Sequence, residues 1–164
     1  MGPFVVDTNF FIQAHRVNYP LDVATSFWIK IRELAERGVL ISIDKVHSEL
    51  NKNNDALTVW CDSNLPESFF KDSSEALAQY GQITRWALSR SDQYLSKALN
   101  EFLDADEADA WLVSYALSHK IVLVTQEVSA PLGKAKIKIP DVCIQFGVGY
   151  INTIEMLRQL GERF

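Results

Sequence analysis

Residues 4–11, with the sequence FVVDTNFF, decide the fold because a short apolar run leads directly into an acid. Residues 4–6 predict a buried strand, since Pro3 precedes them and the polar residues of an Asp-Thr-Asn sequence follow. Asp7 therefore stands at the carboxyl end of a predicted strand. An acid in this position either caps the next helix or belongs to a functional site at the edge of a sheet.

Outward from this stretch, the sequence predicts strands that alternate with helices. Residues 39–44 (VLISID) and 121–125 (IVLVT) are apolar enough for buried strands, and another short strand is predicted around residues 136–139. Helical periodicity marks residues 21–38 and residues 104–120. This alternation predicts a three-layer α/β/α fold with a central, mostly parallel sheet of four or five strands.

Length and composition favour one globular domain over residues 1–164. A chain of 164 residues with 48% hydrophobic and 23% charged residues suits a single core. Residues 53–102 show only helical patterns and predict a helical insertion within that domain. Neither a linker nor an internal repeat divides the sequence.

Charge and cysteine content exclude several classes of protein. A net charge of −5 argues against a chain that coats nucleic acid through a basic surface, but it permits a nuclease whose acids surround bound cations. Cys61 and Cys143 are too far apart in sequence for a zinc or disulfide motif, so free thiols are expected. With neither a signal peptide nor a membrane-spanning run in the sequence, a cytoplasmic protein is expected.

Four acids are predicted to converge at the carboxyl edge of the sheet: Asp7, Glu49, Asp109 and Glu127. Each alone has a structural explanation, as a helix cap, a solvated helix acid, a first-turn acid or a loop acid. Together they would crowd like charges into one cleft, which is unfavourable unless a cation lies among them. Ligands that are all oxygen favour Mg²⁺ or Mn²⁺.

These acids lie in motifs that resemble those of PIN-domain proteins, the VapC-like ribonucleases. The matching segments, in order, are VVDTNFFI (5–12), VHSEL (46–50), DADEADAWLVSYAL (104–117) and IVLVTQE (121–127). The closing segment, residues 138–161, resembles that of a PIN-like toxin subfamily of bacterial toxin-antitoxin systems. The resemblance covers nearly the whole chain, and its specificity rests on the ordered set.

The resemblance assigns six residues to a catalytic site: Asp7, Asn9, Glu49, Asp109, Thr125 and Glu127. By this match the four acids are metal ligands, although the family usually has aspartate at the position of Glu127. Asn9 and Thr125 match polar residues that orient the ligands or a metal-bound water.

The resemblance further implies an endoribonuclease that hydrolyses RNA with water activated by Mg²⁺ or Mn²⁺. It implies a toxin with an antitoxin protein as partner, and a homodimer. Lys134, Lys136 and Lys138 alternate in the segment GKAKIKIP, which is typical either of a solvated strand face or of a rim that contacts RNA.

Three other functions are compatible with an α/β fold. A receiver-type signalling domain would need a lysine at the end of a late strand, and none follows Val124 directly. A dinucleotide-binding oxidoreductase would need a G-x-G-x-x-G sequence after the first strand, which is absent here. A noncatalytic PIN-like module that binds protein or RNA through an incomplete metal site remains an open alternative.

Overall fold

A parallel sheet lies at the centre of the computed structural model, which describes residues 2–164; Met1, the first residue of the predicted domain, lies outside them. The strands are β1 (Phe4–Val6), β2 (Leu40–Ile43), β3 (Phe70–Lys71), β4 (Val122–Val124) and β5 (Tyr150–Ile151). They form a five-stranded sheet in the order β3-β2-β1-β4-β5, and every pairing is parallel. The predicted three-layer α/β/α fold is confirmed.

Helices cover both faces of this sheet. They are α1 (Thr8–Gln13), α2 (Thr25–Glu36), α3 (Asp44–Asn53), α4 (Ala56–Asn64), α5 (Leu77–Leu88), α6 (Ser96–Leu103), α7 (Ala108–His119), α8 (Ile139–Phe146) and α9 (Thr153–Leu160). A π-helical turn, Ala14–Asn18, continues α1. Because neither face of the sheet meets water, β1 and β2 are buried along their whole length, as their apolar sequences require.

Helix α7 is deeply buried beside the sheet. Its side chains from Ala110 to Ala116 are all buried, and the helix packs against α3, α5 and α8 as well as β2 and β4. An apolar surface on all sides is what a helix enclosed by neighbours needs. Burial fixes α7 firmly, so the acid in its first turn, Asp109, has a rigid support.

Two sequence predictions about strands were wrong. The insertion at residues 53–102 is not entirely helical, because Phe70–Lys71 forms the edge strand β3 beside β2. Residues 136–139 form no strand; they are irregular up to Ile139, where α8 begins. The fifth strand is instead Tyr150–Ile151, which pairs with β4. Strands of two residues are too short to show a periodic pattern.

No helix within residues 2–164 combines the length and the apolar character needed to cross a lipid bilayer.

Candidate functional site

The sheet register brings Asp7 and Thr125 together. Val6 pairs with Val124, so the next residue on each strand emerges at the same edge, between β1 and β4. The Thr125 hydroxyl donates a hydrogen bond of 2.6 Å to Oδ2 of Asp7, and the backbone N–H of Phe10 donates one of 2.7 Å to Oδ1. Asp7 therefore caps α1, which is one of the two roles that the sequence predicted for it. The same hydrogen bonds fix its carboxylate at the carboxyl edge of the sheet, between β1 and β4.

Glu49 connects two helices at this edge. Its Oε2 accepts a hydrogen bond of 2.6 Å from the Thr8 hydroxyl, and its Oε1 accepts one of 2.8 Å from the backbone N–H of Ala108, the first residue of α7. A carboxylate at the first free N–H groups of a helix is favoured by the helix dipole. Glu49 therefore holds the start of α7, and with it Asp109, near α1.

Glu127 is the most enclosed of the predicted acids after Asp7. Its side chain is 7% exposed, and Oε1 accepts a hydrogen bond of 2.8 Å from the ammonium group of Lys136. Its Oε2 accepts one of 3.1 Å from the backbone N–H of Ile139, the first residue of α8. The backbone N–H of Glu127 donates a hydrogen bond of 3.1 Å to the Thr125 hydroxyl, which in turn donates to Asp7. Thr125 therefore links the two acids.

Asp109 lies in the first turn of α7, with its carboxylate 3.9 Å from the ammonium group of Lys136. Desolvation raises the pKa of Asp109 to about 8, and repulsion from Glu127 and Asp7 adds to the shift. Lys136 opposes it. The electrostatic field at Asp109 thus favours either a proton or a cation next to its carboxylate.

The pKa of Asp7 is shifted in the same direction. Burial raises it to about 7, even though the hydrogen bonds from Thr125 and Phe10 stabilise the charged form. Repulsion from Glu127 contributes to the rise. Two acids with pKa values at or above neutrality in one cleft are typical of functional sites.

Some charged neighbours of the site were not predicted as part of it. The sequence left Lys136 either on a solvated strand face or on a rim that contacts RNA, and the structure places it among the acids. Burial alone would lower the pKa of Lys136, but the hydrogen bond to Glu127 and nearby carboxylates raise it. Glu107 lies beside Glu49, and desolvation followed by repulsion from Glu49 raises its pKa. The run of acids before α7 was the sequence signal for Glu107.

Asn9, the sixth predicted site residue, lies in the first turn of α1 and is exposed. It is two residues from Asp7 along the chain, so its side chain starts near the acidic edge. Its role in orienting a ligand or water stays a prediction.

The carboxylates do not enclose a ready metal site. Within residues 2–164, no three His, Cys, Asp or Glu side chains are arranged as a metal cage. Asp7, Glu49 and Glu127 each use both carboxylate oxygens for hydrogen bonds to protein groups, whereas Asp109 has only the contact at 3.9 Å with Lys136. Mg²⁺ commonly binds through one or two carboxylates and keeps several waters. Asp7 and Asp109 therefore fit such an ion, and its charge would relieve their repulsion.

A large groove lies elsewhere on the molecule. It has a volume of about 750 Å³ and lies between α2 and α4, where Trp28 and Trp60 are among its lining residues. None of the six predicted site residues lines it. The acids instead lie at the carboxyl edge of the sheet, apart from this groove.

We expect the metal-free Asp109→Asn variant to gain stability relative to the wild type as the pH rises. An aspartate with a folded-state pKa of about 8 binds more protons than in the unfolded chain, where its pKa is about 4. The stability that this raised pKa contributes to the wild type is fully present below pH ~4 and is lost as the pH rises through ~8. Asparagine does not titrate, so the variant does not lose stability in this way.

The gain is expected to be on the order of 1 kcal/mol, because solvent reaches part of this side chain and screens its charge. Urea denaturation in EDTA, at about pH 5.5 and about pH 9, measures it. Asp106→Asn, at an exposed acid just before α7, is the matched control for the loss of one carboxylate in this part of the chain. A constant difference between wild type and Asp109→Asn across this range would contradict a raised pKa.

Comparison with known proteins agrees with this fold. The family model described as "Domain of unknown function (DUF4411)" matches residues 4–164. Among solved structures, the chain is similar to one described as "Crystal structure of VapBC2 from Rickettsia felis bound to a DNA fragment from their promoter". The TM-score is 0.55 and the identity is 15%, over 91% of this chain and 97% of that chain. No curated protein matches the chain. At this identity the likeness concerns the fold, and it confirms the predicted PIN-like architecture.

Proposed function

The chain belongs to the DUF4411 family and has a VapC-like PIN fold, and we propose that it is a metal-dependent endoribonuclease. The observation that carries the proposal is the pair Asp7 and Asp109. Their carboxylates lie at the carboxyl edge of a parallel sheet, and each has a pKa raised to neutrality or above. A divalent cation is the partner that such a pair lacks.

In the proposed site, Asp7 and Asp109 hold Mg²⁺ or Mn²⁺, while Glu49 and Glu127 complete the acidic frame. When bound, such an ion lowers the pKa of a coordinated water and neutralises charge on a phosphate. Thr125 and the N–H of Phe10 fix the Asp7 carboxylate by hydrogen bonds to its two oxygens. Glu49 fixes the first turn of α7 and so the position of Asp109.

The proposed reaction is hydrolysis of a phosphodiester bond. The oxygen of a water attacks phosphorus, the bond from phosphorus to the 3′ oxygen breaks, and the departing oxygen takes up a proton. The products carry a 3′ hydroxyl and a 5′ phosphate. No covalent intermediate with a side chain is needed, in agreement with the absence of a G-x-S-x-G sequence.

The rigid support of the acids favours catalysis over simple binding. Asp7 and Thr125 are each 2% exposed, and both follow directly from central strands. A site that must hold an ion and a reacting phosphate in one geometry needs such support. A module that only binds RNA would gain nothing from burying acids, because they repel phosphate unless a cation is bound.

We further propose a toxin of a toxin-antitoxin pair, with an antitoxin protein as partner and a homodimer as the assembly. The support is the sequence resemblance to PIN-like toxins together with the structural likeness to VapBC2 from Rickettsia felis. The RNA substrate is proposed on the same grounds.

A metal-dependence assay tests the proposed activity. The purified chain is incubated with single-stranded and structured RNAs in Mg²⁺, Mn²⁺ or EDTA, and an Asp7→Asn preparation serves as the blank. Cleavage with either metal and none in EDTA is expected. A chain that binds no Mn²⁺ and cuts none of the RNAs would instead be the noncatalytic module.

A further inference from the structure

Lys136 occupies an unusual place for a lysine in a metal-dependent nuclease. It lies in the irregular segment before α8, and its side chain is 36% exposed. Its ammonium group is 2.8 Å from Oε1 of Glu127 and 3.9 Å from Oδ2 of Asp109. A positive charge therefore already lies between two of the four acids predicted as metal ligands.

Glu127 is arranged to hold this lysine. Both of its carboxylate oxygens are engaged, one by Lys136 and the other by the first N–H of α8. Its own N–H is bound to the Thr125 hydroxyl, so backbone and side chain are both fixed. To bind a metal ion directly, Glu127, whose own side chain is only 7% exposed, would have to give up this ion pair.

Asp7 has no ion pair of this kind within residues 2–164, and the Lys136 charge acts on it only from a greater distance. The hydrogen bonds to the Asp7 carboxylate come from a hydroxyl and a backbone N–H, which carry no net charge. Nucleases with two metal ions place them about 4 Å apart among shared carboxylates. Here an ammonium group lies between Asp109 and Glu127, whereas the groups hydrogen-bonded to Asp7 are neutral.

We propose that Lys136 takes the place of a second metal ion, so that the site binds one divalent cation beside Asp7 and Asp109 while Glu127 anchors the lysine. This inference deepens the proposed nuclease function and rests on it. In this arrangement Glu127 is a positioning residue that holds Lys136 and does not bind the metal ion. This explains why the chain has a glutamate at the position where the resemblance predicts an aspartate that binds the metal.

Titration calorimetry with Mn²⁺ alone, without RNA, tests the inference. We expect one Mn²⁺ per chain for the wild type and two for Lys136→Met, because removal of the ammonium group leaves Glu127 and Asp109 free to bind a second ion. Lys136→Arg keeps the charge and should bind one. The matched control is Lys134→Met, which removes an exposed lysine two residues away and should also bind one.

The outcomes separate this inference from the proposed function. Two Mn²⁺ per wild-type chain, or one per chain in Lys136→Met with an unchanged circular dichroism spectrum, would overturn the inference and leave the nuclease proposal standing. No Mn²⁺ bound to the wild type would overturn both. One Mn²⁺ in the wild type and two in Lys136→Met, without cleavage of any RNA, would support the single-metal site and count against the nuclease.

Discussion

Asp7→Asn is expected to fold normally and to cleave RNA at least ~10³-fold more slowly than the wild type, which corresponds to about 4 kcal/mol of lost transition-state stabilisation. Asparagine keeps an oxygen at nearly the same place but removes the negative charge that attracts the cation. The residue is 2% exposed, and its two oxygens are fixed by hydrogen bonds from Thr125 and Phe10, so no other acid occupies the same place. Cleavage rates in Mg²⁺, with Mn²⁺ affinity from calorimetry, measure the effect.

A second capping acid provides the control for this variant. Asp55 caps α4 and accepts a hydrogen bond of 3.1 Å from the N–H of Thr58, in the same way that Asp7 accepts one from Phe10. Asparagine caps helices about as well as aspartate. Asp55→Asn should therefore leave both stability and cleavage close to wild type.

The pair of variants distinguishes the structural from the functional role of Asp7. If Asp7→Asn retained full metal-dependent cleavage, Asp7 would be a cap only, and the metal would have to bind elsewhere. Relief of repulsion with Glu127 should keep the metal-free variant at least as stable as the wild type. Unfolding of Asp7→Asn but not of Asp55→Asn would show that the charged form of Asp7 is needed for the fold.

The part of the site nearest the central strands could be predicted from sequence. Residues 4–6 and 121–125 are apolar runs long enough to identify, and parallel strands end at the same edge of a sheet. Asp7 and Thr125 follow these runs directly, so their proximity is a consequence of the fold class. The structure places them in adjacent register and joins them by a hydrogen bond.

The outer strands could not be predicted, because tertiary pairing rather than local pattern defines them. β3 and β5 have two residues each, and each exists through its contact with a longer neighbour. The alternation in KIKI suggested a half-buried strand, and Ile137 and Ile139 are indeed buried. The backbone there is not paired in the sheet; the N–H of Ile139 binds the Glu127 side chain instead.

The position of Lys136 was equally inaccessible to pattern analysis. Three lysines alternate along one short segment, and only the path of the chain between β4 and α8 decides which one enters the site. The sequence therefore predicts which acids lie at this edge, and their binding of a metal ion stays a prediction. It could not show that one acid is already paired with a lysine.

The Thr125→Val variant is expected to bind Mn²⁺ roughly 10–100-fold more weakly than the wild type, as is usual when a residue that orients a metal ligand is lost. Valine has the shape of threonine without the hydroxyl. The Asp7 carboxylate would lose the donor at 2.6 Å, and the Glu127 N–H would lose its acceptor at 3.1 Å. The Thr125 hydrogen bond lowers the pKa of Asp7, so its loss raises that pKa further and strengthens the competition between proton and metal.

Because protons compete with Mn²⁺ for Asp7, the effect of Thr125→Val on Mn²⁺ affinity depends on pH, whereas an effect of lost packing alone would not. The affinity deficit of Thr125→Val should be larger at pH ~6.5 than at pH ~9, because at the higher pH Asp7 is ionised in both proteins. Thr125→Ser keeps the hydroxyl and should bind Mn²⁺ about as well as the wild type, with a stability loss of about 1 kcal/mol for the methyl group.

Thr58→Val is the matched control, since it removes a buried hydroxyl that donates to the Leu50 carbonyl, away from the acids. It should lower stability by roughly 1 kcal/mol without changing Mn²⁺ affinity. If Thr125→Val bound Mn²⁺ more weakly than the wild type by the same factor at both pH values, proton competition would be contradicted. The weaker binding would then point to a displaced Asp7 carboxylate. Wild-type affinity in Thr125→Val would remove Thr125 from the site altogether.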